Sequence, residues 1–272
     1  MPAHETDLQL LARAAEEGGR IAMRYWRKDP RAWDKGGAAG PVSEADLAVN
    51  AYLEDTLRGA RGDYGWLSEE SPDSPTRLGP GRLFVVDPID GTRAFLDGQQ
   101  GFAQSIAIVE GGRAVAGAVH LPALGLTYLA QADGPATLNG QPIRAREHDF
   151  DGATALASKP TFAPDHWRTG CDGLRRQFRT SLAWRLCLVA EGRFNAALSW
   201  RSTWEWDVAA GSLIAERAGA QATDRMGQAM RFNAAQPRLD GLIVAPPRLH
   251  GQIMARMAGQ PQSQPGQTTE TQ

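Results

Sequence analysis

The chain has almost nothing that marks a secreted, membrane-spanning or nucleic-acid-binding protein. Two cysteines, Cys171 and Cys187, cannot build a disulfide framework, so both are expected as reduced, partly buried thiols. There is no basic surplus. Lys and Arg number 29 against 31 Asp and Glu, a net charge of −2, and such a chain has no field to draw in a polynucleotide. No apolar run reaches the length of a membrane span. Residues 1–7 lack the basic and apolar regions of a signal peptide, so a cytoplasmic protein is expected. His120, His148, His166 and His250 have no zinc-site spacing. The glycine-rich stretch 34–41 does not match a phosphate-binding P-loop and is expected to be mobile. No internal repeat is evident. Residues 259–272 are almost free of apolar side chains and are expected to be a disordered tail.

What remains is an apolar fraction of 42%, enough for a sizeable core in 272 residues. Apolar positions at helical spacing predict a helix over 7–27. A second is expected over 44–57, with Ser43 as N-cap and Asp46 closing a capping box. Strands are expected at 83–86, 104–109, 114–121 and 124–130, and Asn139-Gly140 signals a hairpin. Beyond 153 the pattern predicts a strand at 153–158, a helix around Trp184–Ala190 and a strand at 194–200. It then predicts a helix at 207–218, a strand at 242–245 and a helix at 248–257. Helices alternating with antiparallel strands indicate a layered α+β fold.

The most informative stretch is Arg82-Leu-Phe-Val-Val-Asp-Pro-Ile-Asp-Gly-Thr92. An apolar strand runs into two aspartates three apart, Asp87 and Asp90. Pro88 restricts the backbone between them and Gly91 permits a turn other residues resist. Such a turn can aim both carboxylates and the Ile89 carbonyl at one point, and converging hard oxygens suit Mg²⁺. The N–H groups of Gly91 and Thr92 would open the next helix, where an anion is favoured. Two further acidic clusters accompany it, Ser68-Glu69-Glu70-Ser71 and Trp204-Glu205-Trp206-Asp207-Val208-Ala209-Ala210-Gly211.

These three motifs, in this order and spacing, resemble the signatures of the inositol monophosphatase family, Mg²⁺-dependent and lithium-sensitive phosphatases of small phosphate esters. The resemblance spans residues 7 to 258. It implies an αβαβα sandwich of the inositol monophosphatase / fructose-1,6-bisphosphatase type, with an α+β half over 1–150, an α/β half over 151–258 and the site between them. It further implies that Glu69, Asp87 and the Ile89 carbonyl hold a first Mg²⁺. Asp87, Asp90 and Asp207 would hold a second, with a third, weaker site near Glu69. Thr92 and Asp46 would orient and deprotonate the attacking water, and the Gly91 and Thr92 N–H groups would hold phosphate oxygens. Asp46 can equally serve only to cap its helix, and Glu70 reads as a solvated or supporting acid. The expected partner is a small-molecule phosphate ester, with a homodimer allowed, and neither a nucleic acid polymer nor a membrane. All the acids are present, which speaks against a catalytically dead homologue.

For the ester itself, Ser181–Gly192 and Thr203-x-Glu205-Trp206-Asp207 resemble the 3′(2′),5′-bisphosphate nucleotidase branch. Ser202 stands where that branch has proline, and Arg93-Ala94-Phe95 where it has Lys-Glu-Phe. Inositol phosphatases of the family place an acid where Trp200 stands. A flat aromatic there suits stacking on a base, and Arg201 beside it suits a second phosphate. The expected substrate is therefore 3′-phosphoadenosine 5′-phosphate, ahead of inositol 1-phosphate and histidinol phosphate.

Overall fold

The computed structural model describes residues 5–36, 40–79 and 81–257. The expected tail and the centre of the glycine-rich loop lie outside them. Helix α1 (Asp7–Tyr25) opens with a capping box between Thr6 and Gln9. A small hairpin of β1 (Ala32–Asp34) and β2 (Pro41–Ser43) brackets the glycine-rich loop. Helix α2 (Glu44–Ala60) carries the expected capping box, Ser43 with Asp46. Then come β3 (Gly65–Ser68), β4 (Leu83–Asp90), the short helix α3 (Thr92–Leu96), and the meander β5 (Ala103–Glu110), β6 (Arg113–Leu121) and β7 (Leu126–Gln131). The Asn139-Gly140 turn joins β8 (Thr137–Leu138) to β9 (Gln141–Pro142), both turn residues at positive φ as such a hairpin needs. Strands β3 to β9 form one seven-stranded sheet in sequence order, all antiparallel except the β3–β4 pair.

The remaining elements are β10 (Thr154–Leu156), β11 (Arg175–Gln177), α4 (Leu182–Ala190), β12 (Ala196–Ser199), β13 (Thr203–Trp204) and α5 (Glu205–Arg217). They are followed by β14 (Gln221–Thr223), β15 (Arg238–Leu239), β16 (Leu242–Ala245) and α6 (Pro247–Arg256). A second sheet has the order β11-β10-β12-β16-β14, and β13 pairs with β15. β11, β14 and β15 are too short and polar to be read from periodicity.

Three apolar clusters set the layers. Helices α1 and α2 bury Leu10, Leu11, Val49 and Leu53 against Phe84, Val86, Ile106 and Ile108, one face of the large sheet. The alternate residues Leu83, Val85 and Ala107 face α4 and α5, which in turn cover Leu156, Ala197, Leu242 and Val244 of the second sheet. Its opposite face, with Ala155, Leu198 and Ile243, packs on Leu249 and Ile253 of α6. The order is helix, sheet, helix, sheet, helix: the layered αβαβα sandwich.

The middle helical layer is tight because its residues are small. A Cβ on Gly211 would meet Leu186 Cβ at 2.9 Å and the Ala183 carbonyl at 3.1 Å. A Cβ on Gly117 of β6 would meet Ala210 Cα at 3.1 Å and its carbonyl oxygen at 3.2 Å. Backbone atoms cannot rotate away as a side chain can. Gly117→Val is expected to destabilise the fold by about 1–3 kcal/mol through overpacking, although valine favours strands. Urea unfolding measures it; an unchanged midpoint would mean that α5 can retreat from the sheet.

Candidate active site

The acidic motifs meet where β4 ends. The strand is longer than its apolar run suggests and continues through Asp90, with a register shift between Asp87, opposite Ser105, and Asp90, opposite Ala103. The bulge lets two acids three residues apart face one cavity. It is held by Ile89 N–H donating to Asp87 Oδ1 at 3.0 Å and Gln104 Nε2 donating to the Pro88 carbonyl at 3.2 Å. Gly91 follows at φ 97°, in the left-handed region, and a Cβ there would lie 3.2 Å from the Gly101 carbonyl. Asp207 arrives from the other side, in the first turn of α5.

Each of Asp87, Asp90 and Asp207 offers an oxygen, and these lie within 4.8 Å of one another. The surrounding cavity, about 420 Å³, is also lined by Glu69, Ile89, Gly91 and Thr92. Asp90 is locked by Ser181 Oγ at 2.6 Å and Ala183 N–H at 2.7 Å, both at the start of α4, and Asp207 by Trp204 N–H at 3.3 Å. Thr92 Oγ1 lies 3.2 Å from both Asp46 Oδ1 and the Ile89 carbonyl. Asp46 also accepts from Ser43 N–H at 2.9 Å, so it caps α2 and reaches Thr92 at once. Glu69 stands apart from the three converging aspartates. Its carboxylate pairs with Lys35 Nζ at 2.7 Å, and Glu70 meets the same ammonium at 2.8 Å.

Burial, then mutual repulsion with Glu69, Asp90 and Asp207, pushes the Asp87 carboxyl well above the usual range. Asp207 is raised for the same two reasons. Burial raises Glu69 to about 7 and Asp46 to about 6. Lys35 and Arg185 are the cations that act on these acids, and burial lowers Arg185 to about 10. More anionic groups than cationic ones face a desolvated space. An all-oxygen set of this charge fits hard divalent cations, so the donor set suits the ions expected from the sequence.

Both specificity residues expected from the sequence fall elsewhere. Trp200 is 8% exposed, donates its indole N–H to the Thr161 carbonyl at 2.8 Å and packs edge-on against Trp167. It belongs to the outermost core, with Leu198 and Ile243, and does not line the acidic cavity. Trp200 is the first residue past β12, and it keeps to the side of the sheet that Leu198, two residues earlier, faces. Arg201 is exposed and is likewise absent from the cavity wall. The aromatics that do line it are Trp204 and Phe178. Phe178 is 46% exposed, with the Arg185 guanidinium carbon 4.4 Å from its ring centroid. Phe178 stands three residues before the N-capping Ser181 and outside the acidic motifs, so its place on the cavity wall is legible only once α4 is set beside Asp90.

Comparison with known proteins agrees with this geometry. Residues 4–262 match the model of the inositol monophosphatase family. A histidinol-phosphatase of Chlorobaculum parvum is 30% identical over 229 residues, 82% of this chain and 87% of its own. The 3′(2′),5′-bisphosphate nucleotidase CysQ of Salmonella typhimurium is 30% identical over 228 residues, 82% of this chain and 92% of its own. The solved structure of a Thermotoga maritima IMPase superposes with a TM-score of 0.77 at 28% identity, covering 90% of this chain and 93% of that one. Relatives in sequence and in structure thus carry the same kind of chemistry that the clustered acids require, and the chain belongs to the inositol monophosphatase family, as a phosphoric monoester hydrolase.

Proposed function

We propose that the chain is a Mg²⁺-dependent phosphatase that removes the 3′-phosphate of 3′-phosphoadenosine 5′-phosphate or a close relative of it. The observation that carries the metal dependence is the convergence of Asp87, Asp90 and Asp207. With Glu69 and the Ile89 carbonyl they would hold two ions, with a third site near Glu69. When bound, such ions supply positive charge against the phosphate and lower the pKa of water. The chain does the rest. Thr92 has one hydroxyl proton and two acceptors; donating it to Asp46 leaves its oxygen free to accept from the attacking water. Asp46, at about 6, can take up a proton near neutral pH. Backbone N–H groups at Gly91 and Thr92 would steady the phosphate, and the Ser181 and Ala183 donors keep Asp90 from swinging out of the cage.

Relatives at equal identity carry different substrate names, so the cavity must choose. Among the described residues, no carboxylate other than Glu69, Asp87, Asp90 and Asp207 lines the cavity to meet ring hydroxyls. Phe178 is an aromatic face at the cavity wall, backed by Arg185, and suits a flat base. The proposed enzyme acts in the cytoplasm, as the sequence suggests, on a diffusible ester.

Asp90→Asn is expected to lower kcat by about 10²-fold or more, as when one charge-stabilising group is removed. Exposed Asp97→Asn should not. Near-normal turnover of purified Asp90→Asn at saturating Mg²⁺ would remove Asp90 from the site.

The raised carboxyls also set a pH dependence. A carboxyl raised in the folded state makes the native metal-free protein bind more protons than the unfolded chain. Its stability therefore falls as pH rises from the ordinary values of 3.8 and 4.5 through the folded values of about 6 and about 7. Buried His120, lowered to about 4, opposes this at acid pH but lies away from the cage. The informative quantity is thus the difference in Tm with Mg²⁺ and with chelator, which should widen from pH 5 to pH 7.5. At 100 times Kd the linkage is about 2.7 kcal/mol, roughly 5–10 °C for a chain of this size. A difference that does not grow with pH contradicts the site.

For specificity, kcat/KM for 3′-phosphoadenosine 5′-phosphate should exceed that for inositol 1-phosphate by about ten- to a hundredfold, from stacking worth roughly 1–3 kcal/mol. Phe178→Ala should erode the preference while sparing a small ester such as glycerol phosphate. Wild-type enzyme favouring inositol 1-phosphate overturns the substrate.

A further inference from the structure

A second cavity of about 500 Å³ adjoins the acidic one and shares Glu69 and Trp204 with it. Its outer wall carries Trp206, Pro237 and Arg238. Trp204 and Arg238 are cross-strand partners in the β13–β15 pair. The Trp204 ring stacks on Trp206 at 4.7 Å and 12°, and the Arg238 guanidinium carbon sits 3.9 Å from its centroid. A ring and a guanidinium cannot share one face at those separations, so Trp204 is the middle member of a three-layer stack. It has no free face for a base. The stack instead fixes the plane of Arg238 while leaving its in-plane N–H donors unused.

The backbone beneath Arg238 is equally constrained. Glu205, fully buried, accepts from Asn233 N–H at 2.6 Å and Ala234 N–H at 2.9 Å. Arg77 donates to Asn233 Oδ1 at 2.7 Å and to the Ala234 carbonyl at 3.0 Å, and pairs with Asp73. Arg238 is exposed, and among the described residues its guanidinium has no hydrogen bond and no ion pair, only the Trp204 stack. The contrast lies in a cavity of about 570 Å³ lined by Arg58, Arg77 and Arg82. There each arginine is paired, with Glu54, with Asp73, and with Asp7 and Glu110 respectively. A planar cation held in place, with its donors unspent, on a wall continuous with the phosphatase site is suited to bidentate capture of an oxyanion.

We propose that Arg238 is the specificity-determining residue for a second phosphate on the leaving group, which occupies the side cavity while the scissile phosphate meets the aspartates. The proposal rests on the phosphatase reading above but not on the identity of the base or sugar. It transfers to Arg238 the role that the sequence suggested for Arg201.

The test uses two ester pairs that differ only in the second phosphate. One is 3′-phosphoadenosine 5′-phosphate against adenosine 3′-phosphate; the other is fructose 1,6-bisphosphate against fructose 1-phosphate. kcat/KM and equilibrium affinity are measured for wild type, Arg238→Gln and Arg238→Lys. Wild type should favour the bisphosphate in at least one pair by about ten- to a hundredfold, the scale of a charge-assisted hydrogen-bonded contact. Arg238→Gln should bring that ratio near one by raising KM for the bisphosphate alone, and Arg238→Lys should restore part of it. An unchanged ratio in Arg238→Gln overturns the proposal. So does an equal loss on both members of a pair, which would mark Arg238 as packing for Trp204, and so does a wild type indifferent to the second phosphate in both pairs. If the sugar pair shows the Arg238 effect while the nucleotide pair is not hydrolysed, the nucleotide reading fails and the role of Arg238 stands.

Discussion

Repulsion among carboxylates held out of water is the constraint on which the rest of this structure depends. Asp87, Asp90 and Asp207 present oxygens within 4.8 Å of one another, with Glu69 facing the same cavity. Left alone, such groups would spread into solvent or take up protons. Each is instead tied by a donor from a different element: Ile89 N–H for Asp87, Ser181 and Ala183 for Asp90, Trp204 N–H for Asp207 and Lys35 for Glu69. The ties come from the strand bulge, the start of α4, the start of α5 and the β1–β2 segment. Moving the large sheet or the middle helical layer would loosen at least one of them.

That requirement explains the close packing of the middle layer. Helices α4 and α5 both begin at the site, so their separation sets the distance between the Asp90 anchors and Asp207. Gly211 against Leu186 allows that separation to be small, and Gly117 of β6 against Ala210 seats α5 close to the large sheet that carries Asp87 and Asp90. Small residues deep in the core therefore act on the acidic cluster at a distance, by setting where two helix N-termini lie. Glu205 works in the same way on the other wall, holding the 233–238 segment under Arg238 while its neighbours Trp204 and Trp206 form the stack.

The aromatic residues show how local reading can mislead. Trp200 lies beside the Trp204–Gly211 motif in sequence, yet its side chain turns to the outer core, because the chain leaving β12 sends it to the same side as Leu198. Phe178 lies outside every motif, yet reaches the cavity because the chain before α4 runs along its edge. Substrate contacts are supplied by whichever side chains the loops bring to the rim, and one position on a strand decides inward or outward.

The sequence by itself determined the helices, the longer strands and the clustered acids. Helices, strands and the Asn139-Gly140 hairpin follow from periodicity and turn chemistry, which act over a few residues. Asp87-Pro-Ile-Asp-Gly-Thr92 carries its own geometry in one proline and one glycine, so its chemistry is readable without knowing what lies across from it. Tertiary structure alone decided that Asp87 and Asp90 sit in a bulged strand rather than a turn beyond it, that Lys35 pairs with Glu69 and Glu70, and that Phe178 and Arg238, not Trp200 and Arg201, flank the site. Those facts depend on strand register and on contacts between residues far apart in the chain. Neither is encoded in any short window of residues; both emerge only when the five layers close on one another.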